Sequence, residues 1–184
     1  MNILYEDNHL LVAVKPPGIP VQADSSGTGD FLSMLKAYVK EKYNKPGNVY
    51  LGLVHRLDRN AGGVIVFART SKAASRLSDQ IRQRLTAKTY LAVVYGCPKD
   101  RRGHLVHYLL KDKQSNRVSV VEAGTPGAKE AVLDYEVLES REVLSLIKVE
   151  LETGRAHQIR VQMASLGTPL YGDVKYRDLG ERNR

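Results

Sequence analysis

The chain alternates between short apolar runs rich in β-branched residues and stretches where apolar residues return every three or four positions. The first pattern reads as strand and the second as helix packed along one side. Strand-like runs fall at 9–14, 51–54, 64–68, 89–95, 118–121, 131–138 and 144–151. Helical spacing predicts a helix over 31–43, where Phe31, Leu35, Tyr38 and Val39 recur behind a capping Asp30. A second helix is predicted from Thr70 or Ser71 to about residue 86, with Ala73, Leu77, Ile81 and Leu85 as its stripe. A third covers 155–166, with Ile159, Met163 and Leu166 on one side and Gly167 as its stop. Lys15-Pro16-Pro17-Gly18, the small polar stretch 23–29 and Lys45-Pro46-Gly47-Asn48 are turns or surface loops. Successive strands joined by short turns imply antiparallel pairing. The expected fold is α+β, a mixed, largely antiparallel β-sheet with flanking helices, in a single domain over residues 1–184.

Between the runs at 51–54 and 64–68 lies a polar centre, His55-Arg56-Leu57-Asp58-Arg59-Asn60-Ala61-Gly62-Gly63. Asn60, Gly62 and Gly63 allow a tight turn and a close approach by another stretch of chain. Asp58 sits at the bend with Arg56 and Arg59 beside it in sequence. A carboxylate on a loop edge between two strands is well placed for chemistry. The same residues also fit a plain strand–turn–strand with solvated arginines.

Length and composition narrow the classes. At 184 residues, with 42% apolar and 26% charged, the chain is long enough for one domain with a proper core. No apolar run approaches the roughly 20 residues of a membrane span, and the first residues lack the features of a signal peptide. The lone Cys97 excludes an internal disulfide and any multi-cysteine metal site. These points favour a cytoplasmic protein. Twenty-eight Lys and Arg against 20 Asp and Glu give a formal +8, which suits a polyanion partner. The basic stretch 99–117 carries Arg101, Arg102, His104, His107, Lys111, Lys113 and Arg117. It reads equally as a hairpin arm against an RNA backbone or as a solvated hairpin. His104 and His107 have no third ligand at metal-binding spacing.

Four segments stand in order along the chain: Glu6 through Gly18 with its Lys-Pro turn, the stretch from His55-Arg56-Leu57-Asp58 to Thr70, Lys88-Thr89-Tyr90-Leu91-Ala92, and Gly154-Arg155-Ala156-His157-Gln158-Ile159-Arg160 with the Gly172-Asp173 loop after it. Together they resemble the RluA-type RNA pseudouridine synthases. Two departures stand out. Ala61-Gly62-Gly63 replaces a common Thr-Ser-Gly, and the sequence ends soon after Tyr176, where relatives continue into a further strand. That end is either a shortened natural form or a truncation. No room is left for the N-terminal S4 domain that some relatives carry.

The resemblance implies the pseudouridine synthase fold and an isomerase acting on uridine in structured RNA, ribosomal or transfer. It assigns the catalytic carboxylate to Asp58, the uracil-facing ring and final proton acceptor to Tyr90, and the partner of the catalytic aspartate to Arg160. It places Arg56 against the flipped nucleotide, with His55 and Arg59 in the same RNA-binding stretch and His55 the more structural of them. No cofactor and no metal are implied, RNA is the partner, no membrane is involved, and the expected state is a monomer. A glycosidase would need a second carboxylate. A metal-dependent nuclease built on His55 and Asp58, or a non-catalytic RNA-binding module derived from the same fold, are the remaining alternatives.

Overall fold

The computed structural model describes residues 1–24, 27 and 29–179. Part of the predicted loop at 23–29 and the last five residues lie outside the described residues. The chain forms two compact units, the first ending at Leu85 and the second starting at Thr86.

In the first unit, β1 (Asn2–Glu6), β2 (Leu10–Lys15), β3 (Gly52–Leu53) and β4 (Gly63–Ala68) form a sheet in the order β1-β2-β4-β3. All of its pairings are antiparallel. The strand β1 escaped the sequence reading because its exposed Leu4 and Tyr5 blur the alternation. Leu11, Ala13, Ile65 and Phe67 turn inward and meet Phe31, Leu35 and Val39 of α1 (Phe31–Lys42). Those three helix residues were on the predicted stripe, and Asp30 caps the helix as expected, accepting the Ser33 amide at 2.9 Å. Thr70 caps α2 (Ser71–Arg82) by accepting the Ala73 amide.

The prediction carried α2 on to residue 86. It stops sooner because Arg84 turns left-handed at φ 59° and the Leu85 amide reaches back to the Gln80 carbonyl. That is a Schellman ending, and it leaves Leu85 70% exposed rather than on the stripe.

The second unit holds β5 (Thr89–Tyr95), β6 (Arg102–Asp112), β7 (Arg117–Val121), β8 (Lys129–Arg141) and β9 (Leu144–Leu151). They form an antiparallel sheet in the order β5-β9-β8-β6-β7. The basic stretch is therefore β6 and the tip of its hairpin with β7. Two of its polar side chains are used internally: Arg102 pairs with Glu136, and His104 hydrogen-bonds to Asp134, across the β6–β8 ladder. Helix α3 (Gln158–Ser165) buries Val161, Met163 and Ala164. Its start is three residues later than predicted because His157 is left-handed, at φ 52°, and cannot lie inside a helix. Gly167, also at positive φ, ends it as the sequence suggested. The predicted α+β class holds, with the strands gathered into two antiparallel sheets.

Candidate active site

The Asp58 loop is positioned from beneath by Lys15. Alternation along β2 sends Leu11, Ala13 and Lys15 to the same buried face, and Lys15 is 0% exposed. A buried ammonium needs acceptors. Lys15 Nζ finds three carbonyls, donating to Pro16 at 2.8 Å, Ile19 at 2.7 Å and Arg59 at 3.0 Å. Burial pushes its pKa down, while the charge of Asp58 acts in the opposite direction. The Arg59 carbonyl also accepts the Gly18 amide at 2.8 Å. The Lys-Pro turn and the Asp58 loop thus meet at the carbonyl of the residue next to Asp58.

The loop closes tightly, with the Ala61 amide donating to the Asp58 carbonyl at 3.1 Å. The two glycines that follow differ in what they demand: Gly62 fits closely, while Gly63 has a backbone conformation that favours glycine. A Cβ on Gly62 would stand 3.2 Å from Pro17 Cδ, and Gly63 opens β4 at φ 141°, opposite Lys15. Asp58 is half-buried, Arg56 is exposed, and Arg59 pairs with Asp24 at 2.7 Å near the surface. His55 has a structural contact: its Nε2 accepts the Val66 amide at 3.0 Å. Strand β3 pairs with β4 only as far as Leu53↔Phe67, and the imidazole takes the next amide of that edge. Burial lowers the His55 pKa, which matches a neutral ring with its proton on Nδ1.

In the second unit, Tyr90 stands on β5 opposite Val149 and packs half-buried against the core of Val94, Leu133, Ile147, Val149 and Met163. Arg160, in the first turn of α3, forks onto Asp173: Nε donates to Oδ2 at 2.7 Å and Nη2 to Oδ1 at 2.8 Å. Its guanidinium lies 5.0 Å from the centre of the Tyr176 ring. The Asp173 side chain is 4% exposed. Burial pushes its pKa up, but hydrogen bonds from Arg160 and the amides of Lys175 and Tyr176 outweigh this and hold the carboxyl below its ordinary value. Tyr176 is itself 1% exposed, its hydroxyl accepting the Val118 amide and meeting His157 Nδ1 at 2.6 Å.

The family pattern implies that Arg160 partners the catalytic aspartate; within its own unit the guanidinium pairs with Asp173. In the sequence, Lys15 and Asp173 stand out only as parts of matching segments, and Tyr176 not at all. The signal for Lys15 was a lysine on the buried phase of an alternating strand.

Among the described residues, one further group could hold a cation: donor atoms of His104, Asp134 and Glu152 lie within 4.8 Å of one another. Sequence spacing could not show it, since adjacent strands bring the three together. His104 and Glu152 are exposed, and His104 is already hydrogen-bonded to Asp134 at 2.8 Å. No helix of the described residues is long and apolar enough to cross a membrane.

A fold of two antiparallel sheets with three helices, carrying an aspartate loop tied to a Lys-Pro turn, places this chain in a known class. The family model for RNA pseudouridylate synthases matches residues 9–165, a span running through both units, and the chain belongs to that family. Its relatives include ribosomal large subunit pseudouridine synthases, which are RluA-type. It is 38% identical over 181 residues to an uncharacterized RNA pseudouridine synthase of Bacillus subtilis, covering 96% of this chain and 57% of the relative. It is 37% identical over 186 residues to the ribosomal large subunit pseudouridine synthase D of Pseudomonas aeruginosa, covering 96% and 53%. The solved structure of human RNA pseudouridylate synthase domain containing 4 superposes with a TM-score of 0.80 at 29% identity, covering 95% of this chain and 68% of that one. The chain spans about half the length of the curated relatives it matches.

Proposed function

We propose that this chain isomerises uridine to pseudouridine in structured RNA, ribosomal or transfer. The supporting observation is the family match over residues 9–165, which includes Asp58, Tyr90 and Arg160. In the reaction the N1–C1′ bond breaks, the uracil turns, and a C5–C1′ bond forms. The C5 proton leaves and N1 ends protonated, so the product is an isomer and no electrons are exchanged. Asp58 is the catalytic carboxylate, stabilising or trapping the electrophilic carbon exposed as the bond breaks. Tyr90 lies along the uracil and accepts the C5 proton, and Arg160 keeps the catalytic carboxylate ionised.

Arg56 faces the flipped nucleotide, with Arg59 in the same stretch, while His55 steadies the loop from the sheet edge. Flipping a uridine out of its stack costs a few kcal/mol, and the net charge of +8 suits a protein that recovers this from the phosphate backbone. The proposed setting is the cytoplasm, where such RNA is modified, and the proposed state is a monomer.

Tritium release from C5-labelled uridine, measured on ribosomal and transfer RNA transcripts, tests the reading. Release together with pseudouridine in the digested product supports it. Tight RNA binding without release would reassign the chain as a binding module of the same fold.

A further inference from the structure

We infer that Asp173 is the positioning residue of Arg160. The inference rests on the function proposed above, because it gives Asp173 its purpose by giving Arg160 one. It is carried by geometry inside the second unit. A guanidinium on a flexible stem has many rotamers, and ordering it costs up to about 2 kcal/mol of side-chain entropy. Here two of its three nitrogens are engaged by one carboxylate, and its Cζ lies over the Tyr176 ring at 5.0 Å from the centroid. The fork fixes the plane of the group, and the neighbouring ring takes up space into which it could otherwise swing. Further acceptors meet Arg160 through Nη1 and the second Nη2 hydrogen, whose directions follow from the fixed plane.

Asp173 is in turn immobilised, with Oδ1 accepting the Lys175 amide at 2.9 Å and the Tyr176 amide at 3.3 Å. The same carboxylate therefore closes the 173–176 turn and aims the arginine. Nothing in the turn itself requires a charge, since an amide oxygen can accept both N–H groups. The fork does require one: only an ionised carboxylate offers two equivalent oxygens to paired N–H donors. The substitution Asp173→Asn separates the two roles, keeping the turn and degrading the fork.

Two readouts decide the inference. The first is the Arg160 Nε–H signal in 15N NMR, assigned by its loss in Arg160→Lys. It is expected to be protected from solvent exchange in the wild type and to exchange freely in Asp173→Asn. The second is steady-state isomerisation, where Asp173→Asn is expected to lose kcat on the order of 10²-fold, the cost of misplacing a group by about an ångström, with KM for RNA unchanged. A merely structural residue would lower the melting temperature and the amount of folded enzyme while leaving kcat per folded molecule intact. Persistent protection of the Nε–H in a folded Asp173→Asn protein overturns the inference, as does a wild-type kcat. Should the wild type show no turnover on any RNA, the proposed function fails, and the NMR result still decides whether Asp173 positions Arg160.

Discussion

The Asp58 loop and the start of α3 are held in place by opposite means. Around Asp58, one side chain fixes backbone: the Lys15 ammonium gathers three carbonyls, one of them from Arg59, the residue beside Asp58. Around Arg160, a carboxylate and a ring fix a side chain directly. The first arrangement sets where a stretch of chain runs and leaves its side chains free to vary. The second sets one functional group and depends on the identity of both partners. That contrast explains why Ala61-Gly62-Gly63 can replace Thr-Ser-Gly: the loop needs small residues for its path, and its anchor is elsewhere.

The largest effect is expected at Asp58 itself. Asp58→Asn should reduce isomerisation to background while the melting temperature and RNA affinity stay near wild type, because the Arg59 and Gly18 backbone contacts do not use the carboxylate. Tritium release with purified, folded protein is the measurement, and substantial turnover would remove Asp58 from the chemistry. Next comes Tyr90→Phe, which keeps the ring packed on the core and removes the hydroxyl. The expected loss is about 10²–10⁴-fold, the range for one general acid–base group. Tyr90→Leu should also weaken retention of the flipped base. Equal rates for Phe and wild type would make Tyr90 a packing residue.

Lys15→Met tests the first half of the contrast. It conserves volume but leaves the Pro16 and Ile19 carbonyls without the ammonium, and the Arg59 carbonyl with only the Gly18 amide among the contacts described here. Loss of these charged hydrogen bonds should destabilise the protein by about 1–3 kcal/mol, a value kept modest because the charge no longer has to be desolvated and part of the cost is returned. Urea unfolding with an unchanged m-value and a lower midpoint would report it. An unchanged midpoint would show that the ammonium does not hold the loop.

Much of this was legible from spacing. The strands at 89–95 and 144–151, the Asp30 cap and the stripe of Phe31, Leu35 and Val39 appeared as read, since period and capping chemistry are local properties. The sequence could not show what depends on one residue's backbone or on contacts across the chain. His157 and Arg84 adopt left-handed conformations without being glycine, so neither announced a helix boundary. The fork between Arg160 and Asp173, and the carbonyls around Lys15, join residues whose proximity follows from the fold alone. The proposed site residues Asp58, Tyr90 and Arg160 follow from the family pattern; their surroundings had to come from the structure.

The smallest effect is expected at His55, where the contrast takes a third form: a side chain fixing an edge of sheet. The Val66 amide needs the lone pair on Nε2, so the ring must be neutral to make the bond. Burial lowers its folded pKa below the ordinary 6.5, and the unfolded chain therefore binds a proton more readily than the folded one. The sign follows directly. The contribution of His55 to stability is complete above the unfolded pKa and is lost as pH falls through the folded pKa. Its size is at most about 1.4 kcal/mol for each unit by which the pKa is depressed. Urea midpoints for wild type and His55→Phe should be furthest apart near pH 7.5 and should converge toward pH 5.5. RNA affinity measured over the same window discriminates further. If His55 instead met phosphate as a cation, affinity in the wild type alone would rise on acidification, and the stability difference between the two proteins would not depend on pH.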